Sequence, residues 1–142
     1  MTTSLPAELR SPRTDAALAL LRTVAGVVFI AHGIQKFFLM GIPGVTQYFA
    51  GLGAPLPQVT APLVATLELA GGIALILGLF TRPIALALVG DMLGAIVLQH
   101  LKGGFWVPNG VEFVMTLGGA AAALALAGGG RYSLDQLLRR RR

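Results

Sequence analysis

Cysteine is absent from the 142 residues, which excludes disulfides, thiolate metal sites and cysteine-based redox chemistry within the chain. Charge is scarce too, with 12% of residues ionised against about a quarter in a soluble domain. Acid is scarcest, six Asp and Glu facing eleven Lys and Arg for a net charge of +5. Much of that excess sits in the terminal run Arg139 to Arg142. No basic surface elsewhere extends the run, so nucleic acid is not an expected partner. A lipid-headgroup or topology role is. What the chain does have is apolar length. Hydrophobic residues make up 55% and the mean hydropathy is +0.76. At about 20 residues per span, four membrane spans fit, with no room for a separate soluble domain. The expected fold class is all-α: a polytopic membrane protein, a four-transmembrane-helix bundle with a short interfacial segment between helices 1 and 2.

Taken in order, residues 1–15 are polar and predict a mobile cytoplasmic arm. The first span is expected at about 16–40. Its apolar run is longer than a signal-peptide core and has no small-residue cleavage site, so it reads as a retained helix, with Arg22 snorkelling to the headgroups. Gly41 to Pro57 is too polar and too rich in Gly and Pro to span. Val45, Tyr48, Phe49 and Leu52 there recur at helical spacing, which fits an amphipathic interfacial helix or an ordered loop. Later spans are expected at about 58–80, 83–101 and 110–127, and a basic cytoplasmic tail at 131–142. Arg10, Arg13, Arg22, Arg82, Arg131 and the terminal arginines fall on one side, and only Lys36 and Lys102 on the other. The positive-inside rule then puts both termini in the cytoplasm.

Against this frame the buried polar residues stand out. Glu68 lies near mid-depth of the second span, where a carboxylate costs on the order of a few kcal/mol unless it faces protein, water or a partner. His32, Gln35 and Lys36 share one helix face by their i, i+3, i+4 spacing. Asp91 is near mid-depth of the third span, and Asn109 and Glu112 stand at the mouth of the fourth. Small residues flank the acids and would let neighbouring helices approach: Ala61, Ala65 and Gly72 beside Glu68, Gly90 and Gly94 around Asp91, Gly119 and Ala123 beyond Glu112. The Gly90-x-x-x-Gly94 pair would equally serve a homo-oligomer. His100 is nine residues after Asp91, about 180° round an α-helix, and so is expected to be a bystander unless the helix end unwinds.

Each candidate carries two readings. Glu68 is either a structural ion-pair partner of Lys36 or His32, or a member of a ligand or proton site. Glu112 is either part of that site or an acid favoured by its helix dipole, with Asn109 capping the same helix. A metal held by His32, Glu68 and Glu112 has no supporting ligand spacing, and none is expected.

The patterns R-x-x-x-G-x-x-F-x-x-H-G-x-x-K (Arg22 to Lys36), G-x-x-x-Y-F-A-x-L-G-x-P (Gly44 to Pro55), L-E-L-A-G-G-x-A-L-x-L-G-L-F-T-R (Leu67 to Arg82), N-G-x-E-F (Asn109 to Phe113) and G-R-Y-S-L-D (Gly130 to Asp135) occur in this order. The chain resembles the DoxX family of small four-helix membrane proteins over about residues 16–138. The resemblance implies a bacterial or archaeal inner-membrane protein. It is similar to a family that includes the quinone-reducing subunit of thiosulfate:quinone oxidoreductase and components of oxidoreductase complexes that act in oxidative-stress defence. Matching positions are His32, Lys36, Glu68, Asn109 and Glu112; Asp91 falls where the pattern is looser. The expected function is therefore a quinone-linked oxidoreductase component. His32, Glu68 and Glu112 would act as the catalytic groups, and Lys36, Asn109 and Asp91 would bind the cofactor. Membrane lipids and a redox partner protein are the expected partners. The alternatives are a non-enzymatic anchor or assembly module for that partner, or a small proton or solute carrier.

Overall fold

A computed structural model describes residues 11–140, and among these every regular element is helical. The first ten residues of the expected arm and the last two arginines lie outside the described residues. Helix α1 (Pro12–Ile34) starts four residues before the expected boundary because its first turn is capped locally. The Ser11 hydroxyl accepts the Thr14 N–H at 3.2 Å, and Pro12 occupies a first-turn position where no backbone donor is needed. Residues 12–15 are thus helix rather than arm, and Asp15 is buried.

Six residues of π-turn (Gln35–Met40) follow, and then α2 (Gly41–Gly51), so the helical alternative for this segment is the one realised. Gly41, at φ 71°, interrupts the backbone between them. Helix α3 (Pro57–Leu77) stops three residues short of the expected end. Gly78 takes the left-handed cap there (φ 67°), and the Leu79 N–H reaches back to the Ala74 carbonyl at 2.9 Å. Helix α4 (Thr81–Ala95) passes into a second π-turn (Ile96–His100) and a single 3₁₀ turn (Leu101–Gly103). Residues 104–111 form a hydrogen-bonded loop, so α5 (Glu112–Ala127) begins two residues later than expected. The seven-residue α6 (Leu134–Arg140) ends the described chain.

Helices α1, α3, α4 and α5 close into a bundle in which each packs on the next and α5 returns to α1, with α2 lying against α3. Phe29, Leu75, Leu88 and Leu124 are its largest fully buried apolar side chains. The tightest seam joins α1 and α3. A Cβ on Gly33 would come within 2.6 Å of the Leu69 nitrogen, and one on Gly72 within 2.7 Å of the Gly26 carbonyl oxygen. These backbones touch because no side chain separates them, the contact that small residues permit between membrane helices. By contrast, Gly90, Gly94 and Gly119 have nothing within 4 Å, so the expected close approach does not occur at those positions.

Three helical runs, Pro12–Gly51, Pro57–Leu77 and Thr81–Gly103, are long and apolar enough to cross a membrane. Helix α5, at sixteen residues, is roughly 24 Å long and completes the bundle as its shortest continuous helical run. Leu20, Leu63, Leu86 and Leu126 are each more than half exposed, as side chains turned toward lipid would be.

Arg22 does not snorkel. It is 3% exposed and donates from Nη1 to the carbonyls of Leu75 (3.2 Å) and Ile76 (2.8 Å), and from Nη2 to that of Tyr132 (2.6 Å). The end of α3 leaves carbonyls short of helical donors, and the guanidinium supplies one to Ile76 and a second to Leu75, which also accepts the Gly78 N–H at 3.0 Å. Asp135 does the converse at the start of α4, accepting the N–H groups of Phe80 (2.7 Å) and Thr81 (2.9 Å). Asp15 accepts the Arg131 N–H at 2.9 Å. The chain end at 131–135 is thereby fastened to α1 and to both sides of the α3–α4 turn.

Candidate functional site

The α1–α3 seam determines where the polar site forms. With Gly33 pressed on Leu69, the residue before Leu69 is carried against the chain just beyond Gly33. Lys36 Nζ meets Glu68 Oε2 at 2.6 Å. The side chains are 16% and 5% exposed, and this is the one salt bridge among the described residues. The structural half of the expected reading for Glu68 is therefore realised.

The pair is not sealed, however. Both side chains line a cavity of about 730 Å³ bounded by α2, α3, α4, both π-turns and the start of α5. Its walls are mostly apolar, including Leu63, Val64, Leu67 and Leu117, with Tyr48 and Phe49 from α2 on one side. Asp91 lines it as well. It shares the lining with Glu68, and its buried Oδ2 has no protein partner. One lysine thus faces two carboxyl groups in largely apolar surroundings. An unsatisfied buried acceptor costs about 1–3 kcal/mol, so Oδ2 is a position where a donor from a ligand or water would be stabilising.

His32 and Gln35 complete the polar wall beside Lys36. The His32 ring rests near Phe113 of α5, with centroids 5.8 Å apart and planes tilted by 42°. Gly90 and Gly94 border the same cavity, so their missing side chains leave space rather than admit a helix.

His100 corrects an expectation. It lines the cavity together with Asp91, where the π-turn Ile96–His100 takes a smaller angular step per residue and narrows the half-turn offset of an uninterrupted α-helix. Its Nδ1 is 3.1 Å from the Asn109 carbonyl oxygen, which fixes the ring against the loop.

Two expected members are not brought in. Glu112 is absent from the cavity wall; its Oε1 accepts the Val107 N–H at 2.8 Å and holds the 104–111 loop in place. Asn109 is exposed and does not cap α5, since Val111 occupies the cap position without a side-chain bond. The His32, Glu68 and Glu112 metal set is accordingly not assembled. The cavity's lining from α2, Phe113 and His100 was not foreseeable from helical spacing, although Tyr48 and Phe113 both sit inside quoted motifs.

Comparison with known proteins agrees with the resemblance. The family model DoxX matches residues 17–101. The chain is 35% identical over 125 residues to the inner membrane protein YphA of Escherichia coli (strain K12), covering 84% of this chain and 88% of that protein. It is 35% identical over 116 residues to the protein named "Putative oxidoreductase CatD" of Bacillus subtilis (strain 168), covering 82% of each. With the inner membrane protein YqjF of Escherichia coli (strain K12) it shares 33% identity over 129 residues, 89% of this chain and 95% of that protein. No solved structure matches the chain.

Proposed function

This chain belongs to the DoxX family of bacterial membrane proteins, and from that premise we propose that it is the membrane component of a quinone-linked oxidoreductase. The observation that carries the proposal is the cavity in which Lys36, Glu68 and the unpartnered Asp91 Oδ2 face an otherwise apolar space of about 730 Å³. The relative named as an oxidoreductase supports the same class of chemistry.

The residues present fit a quinone head. Ring carbonyl oxygens need donors, and His32, Gln35 and Lys36 offer them on the cavity lining. The ring faces need apolar or aromatic surface, and Val64, Leu67 and Phe113 line the same cavity. A quinone accepts two electrons and two protons when it is reduced, and the electrons would come from a redox partner protein or a small reductant. The part of this chain is to orient and to move protons. Lys36 holds Glu68 in place through the 2.6 Å ion pair, and Glu68 and Asp91 are the groups that would exchange protons with the ring oxygens of a quinone held there.

Reconstituted protein with its native reductant should reduce a short-chain quinone. Glu68→Gln should lower that turnover by about 100-fold or more while leaving the fold intact, the usual worth of a positioned acid or base. Unchanged turnover in Glu68→Gln and His32→Ala would remove the proposal and favour an anchoring role. We also place both termini in the cytoplasm, since Arg13, Arg82, Arg131, Arg139 and Arg140 gather at one end. Reporter fusions at the C-terminus that are active only in the periplasm would reverse that placement.

A further inference from the structure

We infer that the C-terminal helix α6 is an anionic-phospholipid site, a basic and apolar rim built at the termini end of the bundle. Helix α6 buries none of its own residues, yet it is held firmly. The Asp135 N–H donates to the Gly78 carbonyl at 2.9 Å, and the Asp135 carboxylate spans the two N–H groups that open α4. The preceding strand of chain is tied by Arg22 to Tyr132 and by Asp15 to Arg131. The same bonds that cap α4 and satisfy Arg22 also hold α6 in one position, so its exposed side chains present a fixed surface.

That surface has two parts. Leu134, Leu137 and Leu138, at i, i+3 and i+4, are 37%, 49% and 52% exposed and share one face. Arg139 and Arg140 follow directly, and the sequence continues with Arg141 and Arg142. The local acids do not neutralise them: Asp15 and Asp135 are both spent on backbone N–H groups, and Arg13, Arg82, Arg131, Arg139 and Arg140 form no ion pair among the described residues. An apolar face flanked by unpaired arginines matches the boundary between acyl chains and phosphate. The complementary occupant is an anionic phospholipid of the leaflet that faces the termini.

Native mass spectrometry of the purified full chain with phosphatidylglycerol or phosphatidylcholine tests this. Wild-type protein should retain phosphatidylglycerol preferentially, and less of it as salt rises. Arg139→Gln with Arg140→Gln should weaken phosphatidylglycerol binding about fivefold per arginine removed, leaving phosphatidylcholine unchanged. Leu137→Gln with Leu138→Gln should weaken both lipids, and Lys102→Gln at the opposite end should change neither. Equal retention of the two lipids by wild type would overturn the inference and leave the rim to an acidic protein partner. So would a preference that survives the double arginine variant. Because α6 buries nothing, these variants fold, and a thermal melt at the wild-type temperature confirms it.

Discussion

The two ends of the bundle both bury charge, but they use it differently. At the termini end, Arg22, Asp15 and Asp135 spend their charge on backbone groups: three carbonyls and three N–H groups at helix ends and a chain turn. No cavity is needed to explain them. At the other end, Lys36 and Glu68 pair with each other, Asp91 is left with an unpartnered oxygen, and all three border open space. The first arrangement serves the fold, although Arg22 Nε and Thr81 Oγ1 are themselves buried without a partner. The second leaves its unpartnered oxygen on the wall of a cavity, where a ligand could reach it. Buried polarity, even incomplete, is thus not itself a sign of function; the informative sign is incomplete polarity that borders open space.

The sharpest way to break the contrast is Arg22→Ala. It would leave the carbonyls of Ile76 and Tyr132 without the guanidinium donor, Leu75 keeping the Gly78 N–H, and should cost about 4 kcal/mol, at about 1–3 kcal/mol for each unsatisfied group. Thermal unfolding in detergent would read this as a large fall in Tm, with binding in the distant cavity unchanged below the transition. A small fall would mean that the carbonyls find water and that the clasp is dispensable.

Lys36→Met should be nearly as severe, about 3 kcal/mol, because Glu68 would then be buried without its cation. Here the two ends should part company. The double variant Lys36→Met with Glu68→Leu should regain most of the lost stability, since apolar pairs often replace buried ion pairs at no net cost, within about 1 kcal/mol. It should nonetheless have no quinone-dependent turnover. Failure of the double variant to recover would show that this pair, like Arg22, is structural.

Glycines extend the comparison along the helices. Gly72→Ala should destabilise by about 1–3 kcal/mol, as its Cβ would meet the Gly26 carbonyl oxygen and the Ile30 side chain. Asp135→Ala, which removes the cap of α4, should cost about 1–2 kcal/mol and loosen α6, measurable as faster amide exchange at Phe80 and Thr81. The smallest effect on stability is expected at Gly90→Ala. Nothing lies within 4 Å of the added methyl, and the helix gains up to about 1 kcal/mol of intrinsic preference. Its effect should appear instead as weaker ligand binding, because the methyl intrudes on the cavity wall.

How legible was all this beforehand? Every helix of the bundle was marked by an apolar run with Gly or Pro at its limits, because a chain in lipid must satisfy its backbone within each segment. The same counting places Glu68 near mid-span and offers Lys36 and His32 as its partners; the structure selects Lys36. Arg22 was misjudged because its distance from the span end fits snorkelling equally well. The packing of the α3 end against α1 and the return of Tyr132 across more than a hundred positions together supply the carbonyls that hold it inside. Glu112 was misjudged for a related reason: a loop whose hydrogen bonds cannot be read from spacing claims its carboxylate first.

By itself, the sequence determined the class of fold, the number of bundle helices and the cost of placing an acid at mid-depth, since each depends on composition and periodicity along one segment. Tertiary structure alone decided which polar groups share a cavity. That choice rests on the α1–α3 backbone contact at Gly33 and on the π-turn that swings His100 to the side of Asp91. Both are relations between segments or departures from the α-helical step, and neither leaves a period in the chain.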